Sequence, residues 1–508
     1  MKQSSNILIL PVLIALLVHL WSGSSMAYVH SKGDLSPGLS WEVLTGKNLR
    51  GASDSHEKRS SDRPGGPERP YVLLIGIETL RADHVGCMGY SRNTTPTFDA
   101  IAKEGVVFSK VMATSSWTMP TVMSVLTSLY PEAHGTTSYD RKLPEDVNTL
   151  AEVLRENDYK TVAFVSNPAL DGRHGFYQGF DLYDDFSVWL GFGKLVGGPN
   201  ADPNLDVHQI LTNKQLTRSA LRWIEQHHQE PFFMFTFYFD PHYDYIPPPP
   251  FDTMFDPNYD GSVDGRGIVK EPRKSNRPPQ RDLDHIIALY DGEIRYTDTY
   301  VSKLLNAFAR FGILDRTFVV IFGDHGDEFY EHGSTGHAHT LYNELIHVPL
   351  ILKWPSMIPK GKRIEALVSQ VDIMPTILDY LGIKHQQPMQ GTSLRDLIEG
   401  RVRQVHDFVF SGGRGHRCAV IKNQHKLILN PWGGAREFYD LVNDPREQNN
   451  ILQAQESSAL LTSFEHYLEL WTSENNKLAS RFTRGSDFER VQLDEHRLKQ
   501  LKALQYIQ

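Results

Sequence analysis

Three acids in this 508-residue chain stand where a strand would deliver them. Glu78 directly follows the apolar run YVLLIGI (71–77). Asp240 directly follows FFMFTFYF (232–239). Asp324 follows TFVVIF (317–322) with one Gly between. His242 accompanies the second acid and His325 the third. Carboxylate oxygens with imidazole nitrogens form a donor set for a divalent cation. A single acid after a strand can simply cap the next helix, but three of three, two with His, point to a metal site. A fourth segment, SSWTMPTVMSVLTSLYPEAHG (115–135), places Thr118 two residues before Pro120 at the start of a helical pattern. Thr suits a helix cap and Pro its first turn. The amides of that turn would favour an anion. A Thr hydroxyl becomes a useful nucleophile when metal coordination stabilises its alkoxide; without that company it is a plain cap.

These side chains need a scaffold, and the apolar runs supply one. Residues 71–77, 161–165, 232–239, 317–322 and 348–353 read as strands buried on both faces. Helical patterns lie between them at 95–105, 148–158 and 296–312. Strands alternating with helices imply an α/β fold with a mostly parallel sheet flanked by helices. Such open sheets bind ligands beyond the carboxyl ends of their strands, where Glu78, Asp240 and Asp324 fall.

The segments GIETLRADHVGCMGYSRNTTPTFDAIAKEGVVFSKVMATSSWTMP, FDPHYDYIPPPPF, LYDGEIRYTDTYVSKLL, FGDHGDEFYEHGSTGHAHTLYNELIHVPLIL and VSQVDIMPTILDYLGI, then EFYDLVNDPREQNN and LKALQYIQ, follow one another in order. Over about residues 70 to 508 the chain resembles the sulfatase family of the alkaline-phosphatase superfamily. The resemblance implies a large catalytic domain at 70–385. A smaller C-terminal subdomain with a short antiparallel sheet and a helical tail would span 386–508, with VHDFVF, CAVI and HKLIL as strands. It also implies roles. Glu78 matches the family's first metal-binding Asp, with a longer side chain. Thr79 stands where many relatives have a second Asp. Asp324 and His325 match the later metal pair. His242 matches a His that contacts the ester or leaving group. His337 and His339 fall where the family sets a Lys or His against the anion, and Asp240 is placed to bind substrate or a second ion. His332 reads as a structural imidazole.

Thr118 holds the position of the family's Cys or Ser nucleophile, which is normally converted to formylglycine. Thr cannot be converted, and the Arg expected four residues on is Val122. The resemblance therefore implies a Thr-nucleophile variant without formylglycine, with Thr118 also touching the metal. Ca²⁺ is the ion the family favours; Mn²⁺ and Zn²⁺ fit the same donors. The expected function is metal-dependent hydrolysis of sulfate esters, on a small-molecule or glycan substrate. Two alternatives stand beside it. One is a phosphodiesterase or phosphonate monoester hydrolase on the same scaffold. The other is a catalytically impaired anion-binding protein, suggested by Glu78, Val122 and Ser128, the last standing where relatives usually have Gly.

The net charge of −9 argues against a nucleic-acid partner. Cys87 and Cys418 are too few and too far apart to suggest a zinc site or a disulfide framework. Lys2, the apolar run ILILPVLIALLVHLW and the small residues around Ser25 and Ala27 read as a signal peptide over 1–27. That implies export, to the periplasm or the medium, with no stable membrane span after cleavage. Residues 28–69 read as a flexible linker. The Pro-, Gly- and charge-rich stretch 251–282 reads as a loop bordering the pocket.

Overall fold

The computed structural model describes residues 69–185, 211–268 and 277–492, apart from short gaps at 414, 416, 423, 431–433, 456–457 and 486. The expected signal peptide, nearly all of the linker and the LKALQYIQ tail lie outside the described residues.

Among the described residues, ten strands precede the C-terminal sheet. They are β1 (Tyr71–Ile77), β2 (Val106–Met112), β3 (Lys160–Val165), β4 (Leu182–Asp184), β5 (Phe232–Tyr238), β6 (Thr317–Gly323), the short ribbon β7 (Glu328–Phe329) and β8 (Thr335–Gly336), β9 (His347–Lys353) and β10 (Lys362–Ser369). The main helices are α1 (Pro96–Lys103), α2 (Thr118–Thr127), α3 (Asn213–His227), α4 (Gln280–Arg310), α5 (Ile373–Leu381) and α6 (Ala459–Phe482). Eight strands form one sheet in the order β10-β2-β9-β6-β1-β5-β3-β4. Only β9 runs against its neighbours. The fold is thus α/β with a mostly parallel sheet, as the pattern of runs predicts.

The continuous apolar runs follow from burial on both faces. In β1, Val72 and Leu74 join one core with Phe235, Phe237 and the helix α2. Leu73, Ile75 and Ile77 join the other with Met234, Val319, and residues of α3 and α4. Alternation is therefore apolar on both sides rather than apolar against polar. Two strands escape the sequence pattern. Ser109 and the exposed Lys110 interrupt the run in β2, and Lys362, Arg363 and Glu365 disguise β10. The segment 251–282 is corrected at its end: residues 280–282 open the 31-residue helix α4, of which the pattern at 296–312 is only the last part. Residues 269–276 lie outside the described residues.

The C-terminal sheet is antiparallel, with β11 (Val409–Gly412), β12 (Cys418–Lys422), β13 (His425–Asn430) and β14 (Ala435–Asp440) in sequence order. Its inner face, with Val420, Leu427 and Phe438, packs on Phe464, Leu468 and Trp471 of α6. The sheet is tied to the large domain where Gly412 N donates to Thr114 O at 2.7 Å.

Candidate active site

Order in the sheet explains why three distant acids were expected together. β6, β1 and β5 are adjacent, parallel and in register, with Ile77 opposite both Gly323 and Tyr238. The pairing continues past the strand ends: Glu78 N donates to Tyr238 O at 3.0 Å, and Asp324 N to Ile77 O at 3.2 Å. An irregular segment then carries His325. Gly326 lets it pass close to Glu344, since a Cβ there would lie 2.0 Å from Glu344 O.

Glu78, Asp324 and His325 are fully buried, and one potential ligand atom from each lies within 4.8 Å of the others. His325 Nδ1 donates to Gly326 O at 3.0 Å, which places the ring's lone pair at Nε2. That Nε2 lies 3.4 Å from Asp324 Oδ2 and 3.7 Å from Glu78 Oε1. Asp324 Oδ1 accepts from Thr79 N at 2.9 Å and His325 N at 2.7 Å, while Oδ2 is buried without a hydrogen-bond partner. Burial and the neighbouring Asp324 hold the Glu78 carboxyl well above the usual range. Burial raises Asp324 likewise, and burial together with His337 lowers His325 to about 3. Two buried carboxylates, a neutral imidazole and an orphaned oxygen fit a divalent cation, which would replace the missing positive charge.

Thr118 turns toward this cluster. It is the first residue of α2, while Trp117 is the cap and makes no side-chain cap bond. The expected capping role for the Thr118 side chain is therefore corrected: its hydroxyl donates to Glu78 Oε1 in a short bond and lies 3.3 Å from His325 Nε2. Val122 is wholly buried in the core, so no cation replaces the Arg of the family motif at that position. Ser128 closes α2 with φ of 57°, a conformation usual for Gly. Its hydroxyl offsets the strain by donating to Val371 O and accepting from Gly391 N.

The expected histidines divide into two groups. His325, His337 and His242 form a file of rings, with centroids 4.5 Å and then 5.2 Å apart. His337 Nδ1 lies 2.6 Å from Asp327 Oδ1, and His242 Nδ1 donates to Tyr243 O at 2.7 Å. His339 instead pairs with Glu328 at 2.7 Å, beside this file. Asp240 also turns away. Its Oδ2 accepts from Thr212 N and Asn213 N at 3.2 and 3.3 Å, capping α3; burial raises its pKa to about 7. Beside its expected use for substrate or a second ion, Asp240 thus has a capping role that its sequence position did not reveal. His332 is structural as expected, pairing with Glu344 at 2.6 Å and stacking on Tyr342.

Sequence reasoning missed Asn167 and Asp327. Asn167 follows β3 by two residues and donates to Glu78 Oε2 at 2.5 Å. Counting amides as well as acids after strands would have found it. Asp327 bridges His337 and the Tyr245 hydroxyl, the latter at 2.5 Å.

A sulfatase family model matches residues 70–383, and one described as N-sulphoglucosamine sulphohydrolase, C-terminal, matches 331–474. By sequence the chain is similar to an ulvan-active sulfatase of Formosa agariphila, at 25% identity over 81% of this chain and 82% of that protein. It is similar to an arylsulfatase of Clostridium perfringens at 24% identity, covering 76% and 91%. In fold it is similar to the phosphonate monoester hydrolase of Agrobacterium radiobacter, with TM-score 0.66 and 21% identity over 80% of this chain and 96% of that one. A protein solved with its substrate D-glucosamine-2-N,6-O-disulfate gives TM-score 0.66 and 19% identity, covering 81% and 99%.

Proposed function

Because this chain belongs to the sulfatase family, we propose that it is a metal-dependent hydrolase of sulfate esters in which Thr118 is the nucleophile. The observation that carries the reading is the Thr118 hydroxyl, directed into the buried cluster of Glu78, Asp324 and His325 instead of capping its helix. Glu78, Asp324, His325 and Thr118 Oγ1 would hold a divalent cation, which would supply positive charge against the ester and favour the ionised hydroxyl. Ca²⁺, Mn²⁺ and Zn²⁺ all suit these donors.

The chain's own groups then account for the proton movements. Glu78 Oε1 already accepts the Thr118 hydrogen, so it can take the proton as Oγ1 attacks sulfur. The bond from sulfur to the leaving oxygen breaks, and that oxygen takes a proton from His337 or His242. Asp327 orients His337, and Asn167 holds the Glu78 carboxylate. Water then attacks the Thr118 sulfate ester, releasing sulfate and restoring the hydroxyl. The amide end of α2 favours the anionic group throughout.

A second reading is hydrolysis of phosphate diesters or phosphonate monoesters at the same residues. Thr118 favours it in one respect. A single hydroxyl cannot expel sulfate from a hemiacetal, so release must come by attack of water on the ester. Steady-state rates on 4-nitrophenyl sulfate, bis-4-nitrophenyl phosphate and 4-nitrophenyl phenylphosphonate separate the two readings. In either case Thr118→Ala should lower kcat by ~10³-fold or more. Thr118→Ser should keep measurable activity. Thr118→Cys should show an unmodified thiol by mass spectrometry, because Val122 replaces the motif Arg. Parent-like rates in Thr118→Ala would mean the nucleophile lies elsewhere.

A further inference from the structure

A cavity of about 830 Å³ lies at the seam between the large domain and the C-terminal sheet. Its size falls among small-ligand sites, which span ~300–1,000 Å³. None of Glu78, Thr118, Asp324, His325, His337 or His242 lines it, so it is separate from the candidate active site.

The charge on its walls is uneven. Its carboxylates have partners of their own: Asp83 and Glu331 share the one Arg81 guanidinium, at 2.8 and 2.6 Å, and Glu344 pairs with His332. Lys110 from β2, Arg277 ahead of α4 and Arg446 beyond β14 also line it, and all three are exposed. Among the described residues none of these three makes an ion pair. Arg277 donates to Gln280 at 2.7 Å; among the described residues, three separate parts of the chain thus bring cations without a carboxylate partner to one cavity, in a protein of net charge −9.

The rest of the wall mixes polar side chains, among them Asn343, Gln424 and Gln448, with apolar and aromatic ones. Half-buried Tyr330, just past β7, lines it with Leu441, while Phe329 is buried behind it with the Arg81 guanidinium 5.4 Å above its ring. Tyr330 sits at φ of 62°, a costly conformation for a non-Gly residue. A partly exposed aromatic ring beside guanidinium and ammonium groups matches one ligand class well. A sugar ring lays its C–H face on an aromatic ring, while its sulfate or carboxylate groups meet Lys and Arg.

We propose that this seam cavity is a second binding site, for anionic saccharide units bearing sulfate or carboxylate groups. The proposal rests on the ester-hydrolase reading only for the origin of that saccharide, which is either the far part of the substrate chain or a separate chain. The cavity has a physical route to the active site in either case. Arg81 on its wall donates to Asp327 O at 2.9 Å, and Asp327 holds His337.

The test uses the full chain carrying Thr118→Ala, so that nothing is consumed. A heparin-derived hexasaccharide and neutral cellohexaose are titrated calorimetrically, with and without Lys110→Glu and Arg446→Glu together. Both positions are exposed, so the fold should survive, which circular dichroism checks. The heparin fragment should bind, more weakly as salt rises, and the double change should weaken it at least tenfold. Cellohexaose should not bind measurably. Unchanged affinity in the double variant, or equal binding of the neutral sugar, overturns the proposal. In the Thr118 parent, the double change should leave 4-nitrophenyl sulfate turnover as it was. If the cavity holds the substrate's far end, a sulfated hexasaccharide has a lower KM than its monosaccharide, and the double change removes that advantage. If it holds a separate chain, the two KM values match while heparin binding is still lost. Absence of any ester turnover by the parent would defeat the hydrolase reading and leave the binding result standing.

Discussion

Asp324→Asn should make the metal-free protein more stable while removing its response to metal. Asp324 is fully buried, and both bonds to Oδ1 come from backbone amides, so an Asn oxygen can keep them. The change falls on Oδ2, which has no hydrogen-bond partner and lies 3.4 Å from His325 Nε2. Asn puts an NH₂ donor there and removes one of two neighbouring buried charges. Because burial raises the folded pKa of Asp324 and Glu78, their stabilising contribution is present below the unfolded carboxylate range and is lost as pH rises through the folded values. At pH 8 the metal-free parent is on the destabilised side. A donor placed 3.4 Å from the His325 Nε2 lone pair adds at most one hydrogen bond between neutral groups, ~0.5–1.5 kcal/mol. Metal acts the other way: a cation at a hundred times its Kd stabilises the parent by about 2.7 kcal/mol. Urea denaturation of the full chain at pH 8, in EDTA and in Ca²⁺, Mn²⁺ or Zn²⁺, reads both effects. The variant should be the more stable protein in EDTA and should lose most of the gain from cation. A variant less stable than the parent in EDTA, or one with the parent's full cation response, would refute the picture of two uncompensated carboxylates awaiting an ion.

Asn167→Ala should weaken cation binding by ~10- to 100-fold, as loss of a ligand's supporting hydrogen bond commonly does; direct titration of the metal-free protein measures it. Asp240→Ala should lower stability by ~0.5–2 kcal/mol through the lost cap on α3 while kcat changes little; a collapse of kcat with unchanged stability would restore Asp240 to the catalytic set. For His332, burial lowers the pKa, but the paired Glu344 together with Glu447 raises it to about 9. Its contribution should be complete below the unfolded value of ~6.5 and fade as pH rises through about 9. The stability gap between parent and His332→Gln should therefore narrow between those pH values, and a gap independent of pH would place its origin in packing on Tyr342 alone.

The strand-end rule worked where the sheet made neighbours of distant segments and failed where local geometry decided. Glu78 and Asp324 could be read because both follow runs buried on two faces, and β1 and β6 pair in register up to those residues. Asp240 carries the same sequence signal, yet its carboxylate is claimed by amides 27 and 28 residues earlier, and a run of apolar residues says nothing about where an incoming helix begins. Thr118 shows the reverse. Thr two residues before Pro at a helix start reads equally as a cap and as a nucleophile on paper, and only the bond to Glu78, 40 residues away, shows that the hydroxyl is not engaged in capping. Asp327 was invisible for a similar reason: DHGDE supplies more acids than one ion needs, and only contact with Tyr245 and His337 distinguishes it. The same limit applies to Lys110. Its charge hid β2 from the periodicity, since a lysine inside an apolar run reads as an interruption. In the fold it lies on a strand beside the C-terminal sheet, where that charge faces a cavity shared with Arg446. Sequence pattern locates residues that serve the core; residues that depart from the pattern need the assembled sheet before their purpose can be argued.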